Sequence, residues 1–396
     1  MKQAAPAALV DERLRERVAA NEWFFAAEAE RIARLCHRMA ERFAAGGRLV
    51  AFASTPAARS DARHVAVEFV HPVIVGKRAL PALALTGEGG DAAAQVEVVC
   101  EQGDIAVGFG SGVEAAMAVA RSRGCLTVGF CEGSGAEWEF VPPSADPFIA
   151  QELVETLYHV LWELVHVFFD HRGLLEGRTQ RAVHDTGASS FLYPFLGEQE
   201  HDLEAVVADV RQSVLMKAAE IDALRERTLS EGREELEAAA GAIRSSFDAG
   251  GQLLALGNGG SATDAMDLVA DLRRGSFGGP PRRALDLTED AGILTAIAND
   301  IGTDAVFSRQ VIAYGRPGDV LVALSTSGNS LSVISALEEG RRRGLTTVAF
   351  VGYDGGRVAS EELADHVIVS RSEHIPRVQE AQASAYHVMR ELVERP

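Results

Sequence analysis

Residues Gly251–Leu272, GQLLALGNGGSATDAMDLVADL, admit few folds. Leu253–Leu256 is a short unbroken apolar run, which suits a strand buried on both faces of a parallel sheet. Gly257-Asn258-Gly259-Gly260 follows with almost no side chains, so the backbone can come close to a ligand. Ser261 with Asp264 three residues on reads as a capping box and predicts a helix from Ser261. A strand, a glycine loop and a helix N-terminus in that order make an anion site, because free N–H groups and the helix dipole both favour a phosphate. The run is not GxGxxG, and no acidic residue stands about 20 positions later at a strand end, so no nucleotide cofactor is expected.

The rest of the chain repeats this plan. Residues 11–45 read as one or two amphipathic helices, followed by apolar runs at Arg48–Ala53, Leu80–Leu85, Ile105–Phe109 and Leu126–Cys131. A helix is expected from Ser60 through Phe69, and another from Pro147 to about Asp170. Residues 171–200 have the turn-forming composition of a linker. Helices then fill about 202–247, and strands are expected at Leu253–Leu256, Ala284–Leu287, Val320–Leu324, Thr346–Val351 and His366–Val369. Helices from Leu331 to Arg343 and from about Arg377 to Glu394 complete the series. Strands alternating with helices imply a doubly wound parallel sheet in each half, an α/β fold with domains at 1–170 and 201–396. The halves align with offsets that grow only by insertion: Asp61–His64 on Asp264–Asp267, Arg123-Gly124 on Arg343-Gly344, and Gln151 and His159 on Gln379 and His387. A duplicated domain is the expectation.

A chain of 396 residues is long for one domain, which agrees with two domains of roughly 150–200 residues. A net charge of −19 argues against nucleic acid or an anionic membrane as partner, but not against a small anion held by amides and hydroxyls. Cys36, Cys100, Cys125 and Cys131 form no CxxC pair, so a reduced, cytoplasmic setting is expected rather than a disulfide framework. The first 18 residues show no apolar signal-peptide core. The 147–169 stretch carries Gln151, Glu152, Glu155, His159, Glu163 and His166, too polar for a bilayer span. A second phosphate-type loop, Ser325-Thr326-Ser327-Gly328-Asn329-Ser330, follows the run VLVAL, at the carboxyl end of a strand where open α/β sheets bind ligands.

Together GNGGSATDAMDLVADL, AIANDIGTDAVFSRQV, GDVLVALSTSGNSLSVI and RVQEAQASAYHVMRELVE, spread over most of 205–394, resemble the sugar isomerase (SIS) domain, and within it phosphoheptose isomerase. The resemblance implies two flavodoxin-like SIS domains and isomerisation of sedoheptulose 7-phosphate. It also implies a homo-oligomer with sites at subunit boundaries, in which the tandem chain acts as a pseudo-dimer. It makes Asn258, Gly259, Gly260, Ser261, Ser325, Thr326, Ser327 and Ser330 phosphosugar-binding residues, joined by Asp300 and Gln379. Asp304 and Arg309 lie in the same substrate-adjacent segment.

The family's reactive set is a His and a Glu four apart, then a Gln and a His eight apart, which together can hold zinc. The second half departs from it with Asp267 and Asp271, keeping Gln379 and His387. Asp271 is one methylene shorter than the general base that the resemblance implies. The first half keeps His64, Glu68, Gln151 and His159, but Ser54–Arg59 replaces its glycine loop and the second loop is missing. Zinc is therefore expected either on His64, Glu68, Gln151 and His159 or on Asp267, Asp271, Gln379 and His387. One expectation is that the halves share labour, with Glu68 as base and His159 as acid; the other keeps Asp271 and His387 as the reactive groups. The alternative to an isomerase is a non-catalytic phosphosugar sensor or assembly scaffold.

Overall fold

The computed structural model describes residues 6–73, 77–86, 90–170, 202–275 and 279–394. The chain forms two compact units, one of residues 19–219 and the other of residues 1–18 with 220–396. The boundaries fall inside two helices, Pro6–Ala44 and Leu203–Glu231. The expected linker at 171–200 lies outside the described residues.

The N-terminal unit holds a parallel sheet of β1 (Leu49–Ala53), β2 (Ala82–Leu85), β3 (Ile105–Phe109), β4 (Leu126–Gly129) and β5 (Trp138–Glu139), in the order β2-β1-β3-β4-β5. The other unit holds β6 (Leu253–Leu256), β7 (Ala284–Asp286), β8 (Val320–Ser325), β9 (Thr346–Gly352) and β10 (His366–Ser370), in the order β7-β6-β8-β9-β10. Each is the 2-1-3-4-5 order of flavodoxin-like sheets, in keeping with the parallel doubly wound sheet expected from the strand–helix alternation and the flavodoxin-like form that the family resemblance implies.

Successive strand residues face opposite sides of a sheet, so each central strand feeds two cores. Leu253 and Ala255 join one core with Leu268, Val269, Tyr386 and Met389 of the Gly260–Arg274 and Ile375–Glu394 helices. Leu254 and Leu256 join the other with Phe307, Val333 and Leu337. In the N-terminal unit Leu49 and Ala51 pack with Phe43, Phe69 and Leu157, while Val50 and Phe52 pack with Val96, Val113 and Met117. Burial of apolar area on both faces, at about 25 cal/mol per Å², is what keeps these strands central.

Several details differ from expectation. Residues 6–44 form one helix. The helix expected from Ser60 begins at Pro56, since Thr55 Oγ1 accepts from Ala58 N (3.3 Å) and proline suits a first turn. The Gly260–Arg274 helix begins before Ser261, so the capping box does not form: Gly259, at φ 59°, is the cap residue, two positions ahead of Ser261. The two-residue strand β5 carries no sequence pattern long enough to announce it. The N-terminal counterpart of the second loop is shortened rather than absent, with Gly110 to Gly112 joining β3 to the Glu114–Ser122 helix. Among the described residues no helix is long and apolar enough to cross a membrane. All four cysteines are free thiols.

Candidate active site

The second sheet places its two loops at the switch point between β6 and β8, where chain connections leave in opposite directions. A Cβ on Gly257 would stand 2.2 Å from the Ser261 carbonyl, so only glycine lets the loop close onto the Gly260–Arg274 helix. Asn258 Nδ2 donates to Ser330 Oγ (2.9 Å) and Ser332 Oγ (3.1 Å), tying the first loop to the second. Within the second loop Ser325 Oγ accepts from Gly328 N (3.1 Å) and Ser327 Oγ from Asn329 N (3.2 Å). Ser330 is the cap residue of the Leu331–Arg342 helix, yet its hydroxyl makes no capping bond and faces Asn258 instead. Two helix N-termini thus open at one rim, with their orphan N–H groups and positive dipole ends.

A cleft of about 630 Å³ runs from this rim, lined by Gly257, Asn258, Gly259, Ser330 and Ser332 on one side. Thr288, Thr295, Thr303, Asp304, Leu294 and Phe307 form the other wall. That wall was not foreseen beyond Asp304, because it is assembled from three separate pieces of chain. Ser261 is buried at the helix start, and Thr326 and Ser327 are half-buried. Asp300 is exposed, accepts from Asn299 Nδ2 (2.7 Å), and does not line the cleft. Arg309 is exposed as well.

On the opposite face of the sheet, Asp267 and Asp271 lie one helical turn apart and meet His387. His387 Nε2 is 3.2 Å from Asp267 Oδ2 and 4.0 Å from Asp271 Oδ2, and Tyr386 donates its hydroxyl to Asp267 Oδ2 (3.0 Å). One ligand atom from each of the three lies within 4.8 Å of the others. Burial, and then the neighbouring Asp267 carboxylate, push the Asp271 carboxyl up to about 7. Asp271 Oδ2 is buried without a hydrogen-bond partner, so the donor set has an oxygen that a bound cation would satisfy. Two carboxylates and an imidazole fit a divalent ion. Gln379 is buried on the same helix as His387. The helix is tied to the phosphate-type loop by Gln382 Nε2, which donates to the Ser325 carbonyl (3.4 Å).

In the N-terminal unit, His64 and Glu68 share one face of the Pro56–Val70 helix, with His64 Nε2 3.7 Å from Glu68 Oε1. His159 Nε2 lies 3.3 Å from His64 Nε2. Burial, and then His159, hold the His64 imidazole well below its usual range, so it is neutral near pH 7. Glu155 brings a carboxylate oxygen within 4.8 Å of a ring nitrogen of each of the two histidines, and Gln151 is half-buried one turn earlier on the same helix. Glu155 was missed for a definite reason: its counterpart in the second half is Ala383, so the internal alignment gave no hint of it.

The SIS domain family matches residues 218–352. The phosphoheptose isomerase of Pelodictyon phaeoclathratiforme is 46% identical over 176 residues, covering 43% of this chain and 82% of that protein. That of Rhodospirillum rubrum is 45% identical over 157 residues, covering 39% and 82%. Among solved structures, the C-terminal domain of glucosamine-fructose-6-phosphate aminotransferase from Francisella tularensis superposes with a TM-score of 0.61 at 11% identity, covering 99% of this chain and 97% of that one, a likeness of fold. With relatives this similar along most of their own length, the chain belongs to the phosphoheptose isomerase family of SIS-domain proteins.

Proposed function

We propose that the chain is an aldose–ketose isomerase of a phosphorylated sugar, with sedoheptulose 7-phosphate as its substrate. The observation that carries this reading is the rim where Asn258 joins the two loops and two helix N-termini converge, a built cradle for one phosphate. The relatives named as phosphoheptose isomerases support it independently. From Gly260 to Asp267 the helix advances about 10 Å, roughly the reach of an extended seven-carbon phosphate ester. A phosphate at the helix start therefore leaves the far carbons level with the Asp267–Asp271–His387 cluster.

Isomerisation moves a proton between adjacent carbons through an enediol, which needs a base and a group that polarises the carbonyl. Asp271, buried one turn along the helix from Asp267, is the proton carrier. His387, held against Asp267, is its acid partner. A divalent ion on Asp267, Asp271 and His387, zinc by family analogy, would polarise the carbonyl when bound. Tyr386 fixes Asp267 in place from the neighbouring position on the last helix.

The test is incubation of the full chain with sedoheptulose 7-phosphate, with and without added zinc, and product identification by NMR. The expected product is the aldoheptose 7-phosphate, lost in Asp267→Asn. One observation favours the non-catalytic alternative: Asp267, Asp271 and His387 are each no more than 2% exposed, so a substrate must open a path to them. Phosphosugar binding without turnover under either condition would establish the sensor reading.

A further inference from the structure

We propose that Asp304 sets the specificity of the phosphate-binding cleft: its carboxylate accepts the hydroxyls of a neutral polyol chain and turns away ligands that carry a second anion. The ligand class is therefore a phosphate monoester of a neutral sugar or polyol, and not of a sugar acid. This assignment rests on the phosphosugar reading of the same cleft.

Asp304 is the middle residue of a short 3₁₀ turn, Thr303–Ala305, that packs against the Leu331–Arg342 helix. It stands on the cleft wall that faces Asn258, Ser330 and Ser332. Gly302, at φ 133°, leads into the turn in a conformation that favours glycine. Val306 and Phe307, buried in the core with Leu254 and Leu256, anchor its far end. An exposed side chain is thus presented from a fixed piece of backbone. The helices that carry Asp267, Asp271 and His387 pack on the other core, with Leu253 and Ala255. The role of Asp304 is therefore recognition and not proton transfer.

Hydrogen bonding divides the cleft into a donor wall and a single strong acceptor. Asn258 Nδ2 donates to both Ser330 Oγ and Ser332 Oγ, and the two hydroxyls lie 3.2 Å apart. One hydroxyl hydrogen can bridge that pair, which leaves the other for a ligand beside the orphan N–H groups of the helix starts. On the facing wall, Thr288 Oγ1 donates to Asp286 Oδ1 (2.6 Å) and Thr295 Oγ1 to the Ala291 carbonyl (2.6 Å). Both threonine hydrogens are therefore spent on the protein. Among the described residues Asp304 is the one charged group that lines the cleft, and its carboxylate has no hydrogen-bond or ion-pair partner there. An ionised carboxylate only accepts, so the ligand part that meets it must donate, as a hydroxyl does. Taken as a cube, the cleft of about 630 Å³ is about 9 Å on edge, close to the ~8 Å Debye length at physiological ionic strength. A second anion anywhere inside therefore meets the Asp304 charge with little screening, which is discrimination by an unpaired charge.

The experiment is calorimetric titration of the full chain, in buffer with a chelator so that no ligand is held through a metal. The probes are inorganic phosphate, sorbitol 6-phosphate and 6-phosphogluconate; the last two match in length and differ in a terminal CH₂OH or carboxylate. The parent should prefer sorbitol 6-phosphate by about 10-fold or more, and added salt should narrow the gap. Asp304→Asn should weaken sorbitol 6-phosphate and tighten 6-phosphogluconate, opposite shifts that a loosened fold does not produce. Asp304→Glu should keep the preference of the parent. Inorganic phosphate should bind Asp304→Asn no more weakly than the parent and should be weakened by Asn258→Ala, which tests the cradle separately. No binding of any probe to the parent would remove the phosphosugar reading and this assignment together. Binding with an unchanged ratio in Asp304→Asn, a common loss of both esters there, or no preference in the parent would overturn the role of Asp304 alone.

Discussion

Asp271 concentrates the energetic tension of the C-terminal unit. Its carboxyl is pushed up to about 7 by burial and by Asp267, against which Arg274, half in solvent, offers a single 3.1 Å contact. A carboxyl raised in the folded state is bound to its proton there while the unfolded chain has lost it. The stabilisation is therefore complete below the ordinary carboxylate range, near pH 4, and disappears as pH rises through about 7. Over that window the slope approaches but does not exceed about 1.4 kcal/mol per pH unit. Urea denaturation of the chelator-treated protein at several pH values should show this decline, and Asp271→Asn should flatten it. A saturating divalent cation should reverse it, because the ion binds the ionised carboxylates. His64 has the opposite sign: its depressed imidazole favours the fold above about 6.5 and penalises it as pH falls. The family resemblance marked the Asp267, Asp271 and His387 positions, which the fold brings together. It did not reveal Glu155, which has no twin, nor the change in proton affinity, which depends on burial that spacing does not specify.

Between β8 and the Leu331–Arg342 helix, one turn sets the shape of the phosphate cradle. Gly328 sits at φ 63°, and a Cβ there would stand 2.2 Å from the Gly355 carbonyl. Both the backbone conformation and the space forbid a side chain. Gly328→Ala should destabilise the unit by about 1–3 kcal/mol, measured by denaturation. It should also weaken sugar-phosphate binding by calorimetry, since the loop that carries Ser325, Ser327 and Ser330 must shift. Asn258→Ala removes two side-chain hydrogen bonds, each worth about 0.5–1.5 kcal/mol net, and should loosen the rim with a smaller loss of stability. The two loops were legible because each stands between an apolar strand and an amphipathic helix. The helix start was not, because Gly259 in a positive-φ conformation overrides the capping preference of Ser261.

At the scale of the whole chain, one strand order occurs twice, and each unit holds a buried cluster of groups able to ligate a metal, of which His64 and His159 correspond to Asp267 and His387 while Glu155 and Asp271 do not correspond. The repeated strands were readable from LVAFA, IAVGF, LLAL and VLVAL, whose apolar runs suit central strands of a covered parallel sheet. The clusters, however, differ in chemistry. His64, Glu155 and His159 offer two nitrogens and one oxygen donor, whereas Asp267, Asp271 and His387 offer one nitrogen and two oxygens. Imidazole suits zinc and its neighbours, and carboxylate suits harder ions such as manganese and magnesium. Zinc outcompetes manganese at both sets on intrinsic grounds, so the difference must appear as a ratio. The zinc-to-manganese affinity ratio should be larger for the N-terminal set, read in His387→Ala, than for the C-terminal set, read in His159→Ala. Displacement of Mn(II) by Zn(II), followed by electron paramagnetic resonance, measures both ratios in the same buffer. Equal ratios would mean that the surroundings, not the donor atoms, decide which ion each unit holds. A reversed order would show that the oxygen-rich cluster gains a further nitrogen or loses a carboxylate when it closes on its ion.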